Sequence, residues 1–217
     1  ASLYKSLPYD VRKDLVPVAL VAEVPNMVLI NNDIPAQNVD EFVKYAKSHQ
    51  LAFASAGVGS SGHLTSELFR HALGLEMLHI PYKGTAMAYP DLISGRVALL
   101  SDGVTSPMAS GGKVRPLAVA AKRRSPLVPN VPTLEELGIK GVDTAAWMGL
   151  LAPAGTPEIA VKTLNAAVAE ILQDPSVLQS FAQSGADPLG GTPDQFETFI
   201  ATEIARWSGV IKTLNIQ

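Results

Sequence analysis

From Val16 onward, short β-rich runs alternate with longer helical ones, and this alternation limits the fold more than any other feature of the chain. "NMVLIN" (26–31), "LAFAS" (51–55), "EMLHI" (76–80), "RVALLS" (96–101), "VRPLAVA" (114–120) and "AAWMGLLAP" (145–153) read as strands. "NVDEFVKYAKSH" reads as a helix with Asn38 as N-cap and Phe42, Val43 and Ala46 on its apolar side. "SGHLTSELFRHAL" (61–73) is helical and stops where Gly74 supplies a C-cap. "TAMAYPDLISG" (85–95) is a further helix, which Pro90 should kink or shift. "PTLEELG" (132–138) predicts a short helix opened by proline. Strands interleaved with helices make the class α/β. After Pro153 the pattern changes to three proline-led helical runs, over 157–173, 175–185 and 193–214. The change near Trp147 is the best place for a domain crossing.

Composition narrows the function classes. A chain of 217 residues with 47% hydrophobic and 17% charged residues is globular and long enough to bury a sizeable core. Its net charge of −3 gives no overall basic field for nucleic acid or an anionic membrane. An anionic ligand must therefore be held by local dipoles or a few side chains. With no cysteine, disulfides, cysteine–zinc sites and thiol catalysis are excluded. The most apolar early run, "VPVALVAEVPNMVLI", is interrupted by Pro17, Glu23 and Pro25 and is too short to span a bilayer. The first residues, "ASLYKSLPYDVRKD", lack the charged-then-apolar pattern of a signal peptide.

The segment "LAFASAGVGSSGHLTSELFR" carries the main chemical question, because Gly57, Gly59 and Gly62 spell G-x-G-x-x-G between a strand and a helix. A dinucleotide site also needs an acidic residue at the end of the next strand. Glu76 is at about the right distance but opens that strand instead of closing it. A nucleophile elbow is absent, since Ser60 and Ser61 are adjacent between Gly59 and Gly62. A P-loop fails because His63, not lysine, follows Gly62. A physical possibility survives: small residues let backbone N–H groups at a helix N-terminus face an anion, with hydroxyls of Ser55, Ser60 and Ser61 as added donors. On the residues alone, a plain tight turn is an equal alternative. His63, Glu67 and His71 recur every four residues, but the two histidines are ~12 Å apart along a helix, too far for one metal ion. Structural or capping roles fit them better.

Several segments together resemble one family: "SAGVGSSGHLTSELF" (55–69), "HIPYKGTAMAYPDLISGRV" (79–97), "SGGKVRPLAVAAKRRSPLVPNVPTLEELG" (110–138) and "AAWMGLLAPAGTP" (145–157). Their order and spacing are similar to those of the periplasmic solute receptors of tripartite tricarboxylate transporters, the Bug-type receptors, from about Leu3 onward. The resemblance implies an α/β type II periplasmic-binding-protein fold, with two α/β lobes closing on a ligand. Residues 1–25 and 146–217 would form lobe one and 26–145 lobe two. It also implies a periplasmic monomer that is not an enzyme, needs no cofactor or metal, binds a small carboxylate and delivers it to integral-membrane transporter subunits. The family pattern starts with a signal peptide and a further stretch of lobe one, including a Pro- and Gly-rich anion loop. "SLYKSLPYD" resembles a point well inside that lobe, so lobe one is expected to be incomplete in this chain.

On matching positions, Ser55, Ala56, Gly57, Gly59, Ser60 and Ser61 would form the lobe-two half of a carboxylate cradle. His63 is expected to brace that loop more than to touch ligand. Tyr82 and Lys83 follow a strand, at the end that faces the crevice in such sheets. Asp102 also ends a strand; it would favour a ligand amino group, or cap a helix starting near Val104. Trp147 is expected to pack at the crossing. Two rivals remain: a nicotinamide-dependent oxidoreductase using the glycine loop, and a ligand sensor of the same fold.

Overall fold

A computed structural model describes residues 2–4, 6–105 and 111–216. The chain divides into two compact units, Ala1–Glu23 with Trp147–Gln217, and Val24–Ala146.

The second unit is built on a five-stranded mixed sheet. Strand β1 (Leu15–Asn31) contributes its second half, joined by β2 (Leu51–Ser55), β3 (Met77–Pro81), β4 (Leu99–Gly103) and β5 (Val114–Val119). The strand order is β3-β2-β4-β1-β5. Strand β2 runs parallel to β3 and β4, whereas β1 is antiparallel to β4 and β5. Helices α1 (Val39–Ser48), α2 (Ser61–Ala72) and α3 (Thr85–Ile93) connect the strands. Alternate residues of a strand face opposite sides of a sheet, and β1 shows both sides buried. Val28 and Ile30 join Phe53 and Leu99 under Val39, Phe42 and Ala46 of α1 and Phe69 of α2. Met27 and Leu29 join Ala54 and Leu100 under Ala88, Tyr89 and Leu92 of α3. Two covered faces explain why these strands read as unbroken apolar runs.

Local signals place the helix ends. Asn38 caps α1, its Oδ1 accepting from Glu41 N–H at 2.9 Å, while Glu41 Oε2 accepts from Gln37 N–H at 2.7 Å. Gly74 takes a left-handed conformation (φ +62°) just past α2. Helix α3 runs through Pro90; both Pro90 and Ala86, whose carbonyl loses its donor, are exposed, so the break in the ladder is at the solvent side. The buried Asn31 side chain closes α3 by donating to the carbonyls of Leu92 (2.8 Å) and Ile93 (3.1 Å). The helix expected over 132–138 is a single turn. Thr133 and Glu136 make the reciprocal bonds of a helix start. However, Thr133 also bridges Val119 of β5, and Gly138 turns left-handed (φ +78°), so nothing propagates.

In the first unit, the first half of β1 pairs with β6 (Ala145–Pro153) and with β7 (Asp187–Pro188). Helices α4 (Glu158–Ile171), α5 (Pro175–Gln183) and α6 (Pro193–Leu214) complete it. Prolines 175 and 193 occupy first-turn positions after the N-caps Asp174 and Thr192, and Thr192 with Gln195 forms a full capping box. Trp147 packs edge-on against Phe196 (5.9 Å) and Phe199 (5.4 Å) of α6, beside Leu20 and Ile200. A Cβ at Gly149 would collide with the Phe196 ring, so the strand needs glycine there to accept the aromatic. Among the described residues no helix is long and apolar enough to cross a membrane.

Candidate functional site

The glycine loop leaves the end of β2 and enters α2, and each glycine has its own reason to be there. Gly57 (φ +130°) and Gly59 (φ +79°) occupy backbone regions that side chains disfavour. Gly62, by contrast, is an ordinary helical residue, but a Cβ on it would run into the carbonyl oxygen of Ser101 in β4. The first turn of α2 is therefore seated directly on a strand backbone. That contact fixes where the helix N-terminus points.

The loop is tied down from several sides. Ser55 Oγ, fully buried, accepts from Gly57 N–H (3.1 Å), lies 3.2 Å from the Gly57 carbonyl, and meets His79 Nε2 at 2.7 Å. Gly59 N–H donates to His63 Nδ1 at 3.1 Å, which leaves the imidazole proton on Nε2, 3.7 Å from Glu67 Oε1. Ser60 is the N-cap of α2, its Oγ accepting from His63 N–H at 3.2 Å. Strand β3 supports the loop as well: Tyr82 N–H donates to the Ser55 carbonyl (3.0 Å) and Gly84 N–H to that of Ala56 (3.2 Å). With these bonds made, the first two N–H groups of α2, those of Ser61 and Gly62, have no protein acceptor among the described residues. Unpaired donors at the positive end of a helix dipole are suited to an anion.

Beneath the loop, Phe53, His79 and His63 form a stack of near-parallel rings. His79 lies 3.9 Å from His63 and 4.8 Å from Phe53, centroid to centroid. Burial, reinforced by the neighbouring His63, pulls His79 down to about 4, so its ring is neutral at ordinary pH. Burial acts to raise the Glu67 carboxyl, but the nearby His63 imidazole and the Arg70 guanidinium, hydrogen-bonded at 2.8 Å, outweigh it and hold that group below the usual carboxylate range. The spacing of His63, Glu67 and His71 thus resolves into a buried His63–Glu67–Arg70 brace, and no metal-ligand cluster occurs among the described residues.

Structure brings all nine candidate residues to this end of the second unit, in differing roles. Ser55 and His63 have their polar atoms engaged within the loop and the ring stack. Tyr82 donates its hydroxyl to Asp91 (2.6 Å), which also receives Arg96 (3.1 Å). Asp102 is partly buried, and its backbone pairs with Met27 of β1 beside the seat of Gly62. Burial pushes its carboxyl upward, opposed by hydrogen bonds from Gly103, Tyr89 and Thr85. The helix expected from Val104 falls on residues 106–110, outside those described. Glu76 precedes β3, at the opposite end of the parallel β2–β3 pair from the loop, and is exposed. His79, Asn26, Thr65 and Thr144 belong to this region without having been singled out by sequence. The β2–β3 register sets His79 beside Phe53, and that pairing is a long-range fact with no local signature.

Comparison with known proteins places the chain in a family. The profile described as tripartite tricarboxylate transporter family receptor matches residues 1–216. Protein BugT of Bordetella pertussis is 38% identical over 97% of this chain and 66% of its own length. A Pseudomonas sp. protein from the tcbD-tcbE intergenic region is 36% identical over 96% of this chain and 63% of its own. The chain thus spans just under two thirds of the length of these relatives. The R. palustris protein Rpa4515, solved with adipate, superposes with a TM-score of 0.92 at 37% identity, covering 99% of this chain and 73% of that one. MatC (Rpa3494) from Rhodopseudomonas palustris, with bound malate, gives 0.86 at 35% identity, covering 97% and 74%. The fold is that of the periplasmic binding proteins. Within them, the chain belongs to the receptor family of the tripartite tricarboxylate transporters.

Proposed function

We propose that this protein is a periplasmic receptor that binds a small carboxylate at the loop between β2 and α2 and presents it to a membrane transporter. The observation that carries the reading is the pair of N–H groups of Ser61 and Gly62 at the head of α2, without a protein acceptor among the described residues, next to a loop in which the N–H groups of Gly57, Gly59 and Ser60 hold its shape. Ala56, Gly57, Gly59, Ser60 and Ser61 are assigned to line the cradle. Ser55, His63 and Tyr82 keep it rigid, so little ordering remains to be done on binding. Asp102 beside the cradle favours a ligand that also offers a hydrogen-bond donor, such as a hydroxy or amino acid. Adipate and malate in the two R. palustris proteins support the dicarboxylate class. Family membership supports delivery to integral-membrane subunits, and it supports two lobes made of residues 1–25 with 146–217 and of 26–145. No metal or cofactor enters this scheme.

A thermal-shift panel of mono-, di- and tricarboxylates, amino acids, nicotinamide and NADH tests it. A carboxylate at a thousandfold over Kd should stabilise the protein by about 4 kcal/mol, several degrees in Tm. A shift with NADH and none with any carboxylate would assign the loop to a dinucleotide instead.

A further inference from the structure

Asn26 is almost fully buried (1% exposed) at the start of the sheet portion of β1 that enters the second unit, and its side-chain nitrogen has no hydrogen-bond partner among the described residues. Its other polar atoms are engaged. The backbone N–H donates to the Thr144 carbonyl (3.1 Å), and the backbone carbonyl accepts from Ala120 (2.8 Å). Oδ1 accepts from Ser61 Oγ at 3.4 Å. Ser61 is the first residue of α2, so the Asn26 amide is packed against the same helix end that carries the free N–H groups.

These bonds belong to a closed circuit. From Ser61 its carbonyl accepts from Thr65 Oγ1 (2.7 Å), Thr65 Oγ1 meets Thr144 Oγ1 (2.7 Å), and the Thr144 carbonyl returns to Asn26. Thr65 and Thr144 are buried to the same degree as Asn26. Within such a network every donor and acceptor is ordinarily used, because a buried polar group without a partner costs more than a typical hydrogen bond returns. Among the described residues one donor is left over, on the amide whose oxygen meets Ser61 of α2. The contact next to it, Ser61 to Asn26, is the longest in the circuit and at the outer limit of a hydrogen bond.

We infer that Asn26 is a ligand-reading residue: a carboxylate oxygen arriving at the head of α2 accepts from the Asn26 Nδ2–H, while Oδ1 keeps its long contact with Ser61 Oγ. This inference rests on the carboxylate-receptor reading and adds to it a side-chain donor from β1, outside the glycine loop. An amide in this position supplies a donor without a charge, so it reads an oxygen acceptor and leaves charge compensation to the helix. The stored cost of the unpaired donor is relieved only in the bound state.

The test is a paired measurement of ligand-free Tm and of Kd for malate, adipate and the intervening dicarboxylates by calorimetry, on the wild-type chain, Asn26→Leu and Asn26→Asp. Leucine matches the amide in size and removes the orphaned donor, so the ligand-free Tm should be unchanged or higher while Kd weakens about tenfold or more. Aspartate keeps the acceptor that Ser61 uses and replaces the donor by a like charge, so binding should weaken further. A lower Tm for Asn26→Leu with unchanged Kd would make Asn26 structural and overturn the inference. Unchanged Kd in Asn26→Asp would do so too, and does not depend on how the leucine variant folds. If the wild-type chain binds none of these dicarboxylates, the receptor reading itself fails and the inference falls with it.

Discussion

Replacing Gly62 by alanine sets two effects against each other whose magnitudes decide the outcome. The residue has ordinary helical backbone, so on propensity alone alanine should stabilise α2 by about 1 kcal/mol. The new methyl group, however, would occupy the position of the Ser101 carbonyl oxygen. Ser101 is buried in β4, whose neighbours on the two sides are β1 and β2, so its backbone has nowhere to retreat. Overpacking of this kind costs about 1–3 kcal/mol, and a collision with backbone belongs at the upper end. The net expectation is a loss of about 2 kcal/mol, read by differential scanning calorimetry as a fall in Tm of about 4–8 °C for a chain of this length. Because the helix head must lift off β4, affinity for a carboxylate should drop in the same variant even well below Tm. Gly74→Ala is the control: it costs about 1–2 kcal/mol for a left-handed alanine at φ +62°, meets open space, and should leave binding intact. A Gly62→Ala protein as stable as wild type would refute the argument that close approach, and not turn geometry, fixes this glycine.

Protonation gives a second expectation. The His79 ring stays neutral in the folded protein down to about pH 4, whereas in the unfolded chain it protonates near 6.5. Between these values only the unfolded state takes up the proton, so stability is lost as pH falls from about 6.5 towards 4. At about 1.4 kcal/mol per pH unit the upper limit is about 3 kcal/mol, and solvent screening of a ring that is only partly buried reduces this to about 1–2 kcal/mol. Urea titrations at pH 7 and pH 5 should show somewhat more than half of that loss in the wild type and less in His79→Gln; equal losses in the two proteins would remove His79 as the cause. Asn38→Ala should cost about 1 kcal/mol in the same titrations, through the lost cap of α1, with no change in ligand affinity. Gly59→Asp should abolish carboxylate binding by setting a like charge in the cradle, and retained affinity in a folded variant would count against the loop as the site.

Local chemistry made much of this protein legible. The Asn38 cap, Gly74, "LAFAS" as β2 and the proline-led tail are short-range signals, and each appears where periodicity and turn chemistry put it. The misreading at 132–138 has a tertiary cause, since Thr133 is drawn to β5 before a helix can extend. Pro90 was harmless because it faces solvent. For the site, the glycine spacing pointed to the loop but not to what holds it. His79 and Asn26 reach it through sheet register, from β3 and β1, and the chain around them gives no local sign of that role. Gly62 was visible as a glycine of the pattern, while its reason, the Ser101 carbonyl, is 39 positions away along the chain.

The central claim is that the head of α2 receives a carboxylate, and amide resonances of the isotopically labelled chain report it residue by residue. Titration with malate or adipate should move the backbone signals of Gly57, Gly59, Ser60, Ser61 and Gly62 together, with saturation at a common Kd, while those of α4 and α5 stay in place. Carboxylate-induced shifts confined to other elements, or movement of the loop with NADH and with no carboxylate, would contradict the account.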